Sequence, residues 1–254
     1  MARILAQIIF IIICISNLAM ADDKKIIGLT TLEWPPYEGD SLKDKGAHVV
    51  VIRAALAAVG YELNLGIFPW KRAIDYATNS KEYIGYFTEY YSDEIESNFY
   101  FSDPIGSAPI GFVDRKDNPI KWDSFDDLAK YEIGVTDGYV NTAELDKRIA
   151  SGIIKAQVVS DDLYDIKKVF FGHIVAAVID PNVLNYYIST DPKLNGANKV
   201  IQFNSKTLDE KKHYICFRKT PEGLKMMQIF NEGLKKINAK ELISNYFKEM
   251  GYTY

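Results

Sequence analysis

Two cysteines, three histidines and three tryptophans are all that 254 residues hold of these types. Each scarcity excludes something. Cys14 lies inside an apolar N-terminal run; once that run is removed, Cys216 stands alone and no internal disulfide can form. A lone Cys216 within "HYICFRK" reads as a buried strand residue. His48, His173 and His213 are far apart in sequence and offer no metal-ligand spacing. No G-x-S-x-G, H-E-x-x-H, Walker loop or paired-cysteine motif occurs, so no catalytic motif marks an enzyme. A basic block is missing too: 30 Lys and Arg face 34 Asp and Glu, for a net charge of −4. That balance argues against a nucleic-acid partner. The acid pairs Asp126-Asp127 and Asp161-Asp162 are expected to face solvent or cap helices.

What is present begins with "MARILAQIIFIIICISNLAMA". Arg3, an apolar stretch and Ala19-Met20-Ala21 form the charged, apolar and small-residue pattern of a secretory signal, with cleavage expected after Ala21. The run is short for a membrane span and lacks a basic flank behind it. Ile13 precedes Cys14 where a lipoprotein would have a small residue. Export without disulfides points to a bacterial periplasm, with a large core supplying stability.

The rest of the chain alternates strand and helix. "KKIIGLT" reads as a strand, "GAHVVVIRAALAAVG" as a buried helix, "YELNLGIF" as a strand, "WKRAIDYATN" as a helix and "YIGYF" as a strand. The pattern restarts after "FSDPIGSAPIGFVDRKD", with Ser124 and Asp127 capping a helix and Asn141 with Glu144 opening another. "AQVV", "HIVAAVID", "KVIQF" and "HYICFRK" supply later strands. Such alternation predicts mainly parallel α/β sheets in two runs. Ligands of open sheets sit beyond the carboxyl ends of strands. "TLEWPPYEGD" lies at such an end, and its prolines forbid helix and interrupt a ladder. Trp34 and Tyr37 are therefore expected on a stiff turn facing a cleft.

The order "KGAHVVVIRAALAAVGYELNL", "FPWKRAIDYA", "FYFSDPIGSAPIGFVDRK", "YEIGVTDGY", "AAVIDPNVLNYYI" and "HYICFRKTPEGLKMMQIFNEGLKKI" resembles the periplasmic solute-binding proteins of family 3, the polar-amino-acid receptors of ATP-driven importers. The resemblance implies an α/β, two-lobed, periplasmic-binding-protein-like fold. Two crossing segments, expected near Gly111 to Asp114 and Asn204 to Lys206, would flank a ligand cleft. It divides the chain into a signal peptide (1–21), a first lobe (22–112, returning as 206–254) and a second lobe (113–205).

The function implied is binding of a small polar solute, amine or amino-acid-like, for an ABC permease or a membrane sensor. No cofactor or metal is expected, and the chain is expected to be a monomer. The alternative is an enzyme on the same fold, dehydratase- or lytic-transglycosylase-like. Carried over residue by residue, the resemblance implies a ligand-binding set of Trp34, Trp70, Thr88, Tyr90, Gly138, Tyr139 and Asp180, to which Tyr37, on the turn with Trp34, and Arg72 are added. Asp180 is the acid for a ligand ammonium, and Gly138 and Tyr139 belong to a turn offering backbone N–H groups. One departure matters: the family's carboxylate-gripping arginine falls at Ile95, with Ser92 in place of its threonine. Either Arg72 or Lys71 substitutes, or the solute carries no ordinary α-carboxylate.

Overall fold

The computed structural model describes residues 25–251. The expected signal peptide lies outside the described residues.

Strands β1 (Lys25–Thr31), β2 (Tyr61–Ile67) and β3 (Gly85–Glu89) run parallel in the order β2-β1-β3. β1 is buried over its last five residues and β3 throughout, the reading of strands covered on both faces. Helix α1 (Ala47–Ala57) is apolar nearly all round because it is enclosed by the sheet and by the C-terminal helices α7 (Pro221–Leu234) and α8 (Ala239–Glu249). At Gly233 of α7 a Cβ would fall 2.1 Å from the Ala55 carbonyl oxygen, so only glycine permits this approach. Helix α2 (Trp70–Asn79) covers β1 and β3, and the short α3 (Asp93–Asn98) leads into β4 (Phe99–Phe101).

A second parallel set, β6 (Glu132–Thr136), β7 (Lys155–Val159) and β8 (Ala176–Ile179), is joined by α4 (Ala143–Ala150) and α5 (Asp162–Phe170). Helix α6 (Pro181–Thr190) and strand β9 (Ile201–Phe203) follow. Helix α4 opens on Thr142, whose hydroxyl caps Leu145; Asn141 instead bonds Asp146, so the expected Asn141–Glu144 box is replaced by its neighbour. The Ser124–Asp127 box is present.

Two long strands join the sets. β5 (Gly106–Arg115) pairs with β10 (Asp209–Arg218) over Gly106–Ile110, then with β8 over Gly111–Asp114 and β9 over Val113–Arg115. β10 runs back to pair with β3 and β4. Asp114 and Asn204 tie the crossings: the Asn204 amide donates to Asp114 Oδ2 at 2.5 Å and to the Ile120 carbonyl at 3.2 Å. The result is an α/β molecule of two lobes, one on β1–β3 and one on β6–β8, with two crossing segments between them. Cys216 is buried in β10. No helix among the described residues is long and apolar enough to cross a membrane.

Candidate functional site

The turn after β1 closes on itself. The Trp34 N–H donates to the Glu38 carbonyl at 2.9 Å, and the Glu38 N–H returns to Trp34 at 3.2 Å. Pro35 and Pro36 stiffen the span between them. Trp34, Tyr37 and Glu38 are buried, not exposed. The cover comes from the other lobe. Trp34 Nε1 donates to Asp162 Oδ2 at 3.0 Å, and the Tyr37 hydroxyl donates to Asp180 Oδ2 at 3.0 Å. The Asn182 amide donates to that same hydroxyl at 2.7 Å. The first-lobe aromatics are therefore satisfied by second-lobe carboxyls, which is why bulky polar rings can be buried here.

Behind the turn lies a stack. Trp34 lies on Tyr37 and Tyr37 on His48, each pair 4.6 Å between centroids, and His213 meets all three edge-on. His48 Nδ1 lies 2.9 Å from both Glu38 Oε2 and Thr88 Oγ1, and its Nε2 lies 3.1 Å from His213 Nδ1. Burial holds His48 neutral, down to about 3, and pushes His213 well below its ordinary value. Burial also raises Glu38 well above the carboxylate range.

Asp180 follows β8 and caps α6, accepting from the N–H groups of Asn182 (2.6 Å) and Val183 (3.2 Å). Desolvation nonetheless raises it to about 7. Asp162 is raised to about 7 by burial, with Asp180 adding to the shift. Glu89 rises to about 8 by burial, although it accepts from Tyr90 N–H and the Tyr86 hydroxyl. Asp165, one helical turn beyond Asp162, rises to about 8 by burial, and neither of its oxygens has a hydrogen-bond partner. The buried titratable Asp, Glu, His, Lys and Arg residues, among those described, comprise Glu38, Glu89, Asp114, Asp162, Asp165, Asp180, His48 and His213. No lysine or arginine is among them.

The predicted set divides. Trp34, Tyr37, Thr88, Tyr90, Tyr139 and Asp180 converge on the cleft. Trp34 and Tyr90 meet edge to face at 6.4 Å, and the Tyr139 hydroxyl donates to Asp162 at 3.4 Å. Trp70, first residue of α2, is half-buried at the rim, where its indole N–H donates to the Gly138 carbonyl at 3.1 Å. Gly138 has φ of +79°, so its contribution here is a carbonyl on a left-handed turn. Arg72 lies exposed on α2 and lines neither the cleft cavity nor the groove beside it. Lys71 is exposed and pairs with Asp137 at 2.6 Å. Ile95 packs beside Tyr86, Phe99 and Cys216.

Sequence reading missed Glu38, His48, Glu89, Asp162 and His213. Asp162 was expected at the surface or as a cap. Asp161 is the cap, and its neighbour is buried. Periodicity carries some of this signal: Asp162, Asp165, Ile166 and Val169 lie on one helical face. The contact of His48 with His213, 165 residues away, leaves no trace in spacing.

No family model matches the chain, and no curated protein does. Solved structures do. The ligand-binding core of GluR0 from Nostoc punctiforme, in complex with L-glutamate, superimposes with a TM-score of 0.69 at 19% identity, over 88% of this chain and 98% of that one. A mutant of ArgBP from T. maritima gives 0.69 at 20%, over 88% and 95%. A histidine kinase sensor domain with similarity to periplasmic binding proteins gives 0.73 at 15%, over 89% and 95%. With the sheet order and crossings above, these matches show that the chain has the two-lobed fold of the family 3 periplasmic solute-binding proteins.

Proposed function

We propose that this protein is a receptor that closes its two lobes over a small cationic solute. The observation that carries the reading is the charge of the cleft: Glu38, Glu89, Asp162 and Asp180 are buried around it, no lysine or arginine among the described residues is buried with them, and Lys211, whose Nζ lies 5.8 Å from the Tyr90 ring centre, is paired with Asp209 at 3.0 Å. Burying carboxylates without a cation is costly, so they hold protons near neutral pH until a cation replaces them. A solute's own carboxylate would enter this cleft without a buried guanidinium to meet it, which favours amines over ordinary α-amino acids. Arg72 is not counted among the binding groups. The fold supports lobe closure, since a solute touching both walls favours the closed state. We place the first lobe at 22–112 and 206–254 and the second at 113–205. The N-terminal pattern supports export to the periplasm, where the receptor would serve an importer or a sensor.

The second reading, an enzyme on this fold, has one feature in its favour: Asp162 and Asp180 sit at about 7, where a general acid or base works well. The His48 cluster adds nothing to it. Glu38 and Thr88 meet the same ring nitrogen, so the imidazole cannot pass a proton from one to the other.

The test is thermal unfolding with a panel of amines and amino acids, followed by mass spectrometry of the recovered solute. An amine at a hundred times its Kd should stabilise by about 2.7 kcal/mol. The midpoint should rise by roughly 5–10 °C. Consumption of the solute would transfer the protein to the enzyme reading. Stabilisation by carboxylate solutes alone would overturn the cationic one.

A further inference from the structure

Resting on the reading of the cleft as a site for a cation, the cleft wall narrows which cation it takes. A cavity of about 20 Å³, room for one water, is lined by Trp34, Trp70, Tyr90 and Tyr139 together with Thr88 and Glu89. The rings meet in near-perpendicular pairs, Trp34 with Tyr90 at 77° and Trp70 with Tyr139 at 81°. Three of the four have their polar edges tied to fixed acceptors. Trp34 Nε1 and the Tyr139 hydroxyl both donate to Asp162 Oδ2, and Trp70 Nε1 donates to the Gly138 carbonyl. Those three rings have no free donor left, so the π surface is what they offer the cavity.

The side-chain acceptors of the wall are engaged as well. Glu89 Oε1 receives the Tyr90 N–H at 2.9 Å and Oε2 the Tyr86 hydroxyl at 3.1 Å; Thr88 Oγ1 lies against His48 Nδ1 at 2.9 Å. A primary ammonium brings three N–H donors and a guanidinium five, each losing water on entering. Beside the tyrosine hydroxyls, the side-chain acceptors of this wall are Thr88 and Glu89, each already partly engaged, so they repay that loss only in part. A quaternary ammonium has no N–H to satisfy. It needs only ring faces and nearby negative charge, and Trp is the strongest ring for the purpose.

We propose that Trp34, Trp70, Tyr90 and Tyr139 form an aromatic cage for a methylated ammonium group. The cage is closed in this structure, and admitting such a group requires a wall to move. Trp70 is that wall. It is half-buried, begins a helix at the rim, and is held across the cleft by its bond to Gly138. Leu32, Trp70 and Tyr139 also line an open groove of about 800 Å³ beside the cage, which gives the rest of the solute a place to lie.

The experiment is calorimetry on the purified protein with tetramethylammonium and choline. Agmatine and arginine serve as N–H-bearing cations, and 3,3-dimethylbutan-1-ol as the uncharged isostere of choline. Choline should bind at least tenfold more tightly than agmatine and than the alcohol. Trp70→Leu, whose unfolding midpoint is measured alongside because the ring also packs on Tyr86, should weaken choline by between about 2- and 30-fold, with Trp70→Phe between the two. Agmatine or arginine binding more tightly than choline overturns the cage while leaving the cationic receptor standing. The alcohol matching choline overturns both, as does the absence of binding by every cation. Trp70→Leu binding choline as wild type does overturns the cage assignment alone.

Discussion

Trp34, Tyr37 and Tyr90 face the cleft from the lobe on β1–β3, and Asp162 and Asp180 face it from the lobe on β6–β8. In the Trp34–Asp162 and Tyr37–Asp180 bonds the first wall donates and the second accepts. Neither is stable alone when buried: an indole N–H or a phenol without an acceptor is costly, and a carboxyl without a donor more so. In the closed molecule each wall satisfies the other. The difference teaches that the contact between the lobes is a set of matched hydrogen bonds, with each lobe supplying what the other lacks.

A second contrast lies within the acidic lobe. Asp180 accepts three hydrogen bonds, whereas Asp165, buried in the same lobe, accepts none. The first carboxyl organises a helix start and an interlobe clasp. The second is a neutral acid lying over Gly134, where a Cβ would meet its Oδ1 at 2.1 Å.

Breaking the clasp from the acidic side gives the largest expected effect. Asp180→Ala removes the cap of α6, worth about 0.5–2 kcal/mol. It also leaves the Tyr37 hydroxyl, still accepting from Asn182, with no acceptor for its own proton, at a cost of about 1–3 kcal/mol. Urea denaturation should show their combined loss. Asp180→Asn, which keeps an acceptor, should lose less than half as much; equal losses would show that charge, not hydrogen bonding, holds the clasp. From the aromatic side, Trp34→Phe deletes one donor to Asp162 while Tyr139 remains, and should cost about 1–2 kcal/mol by the same measurement.

The pH dependence sharpens the contrast within the acidic lobe. Asp162 and Asp180 at about 7, and Glu89 and Asp165 at about 8, are raised above their ordinary values by burial. The folded state thus holds protons that the unfolded chain has released, and stability is lost as pH rises through the folded values. The buried histidines act oppositely, but only below their ordinary 6.5. Between pH 6.5 and 8.5 the unfolding midpoint should therefore fall, by about 2–4 °C for each kcal/mol lost. Asp165→Asn should remove part of that slope, and a midpoint flat across the window would count against neutral carboxyls in the folded state. The smallest effect belongs to Lys71→Ala. Its pair with Asp137 also bridges the cleft, but both side chains are largely in water, so the midpoint should not move measurably.

By itself the sequence determined the alternation of strands and helices and the stiff turn carrying Trp34 and Tyr37, because periodicity and proline act within a few residues. It also placed aromatic residues at strand ends where a cleft must lie. Tertiary structure decided which polar groups are buried together. His48 stacks on Tyr37 and His213 meets it edge-on because α1 and β10, distant in sequence, come together behind the turn, and Asp162 faces Trp34 across the two lobes. Burial is a property of the assembled walls, and it is burial that lifts Asp162, Asp180 and Glu89 toward neutral pH and turns four separated aromatics into one enclosure.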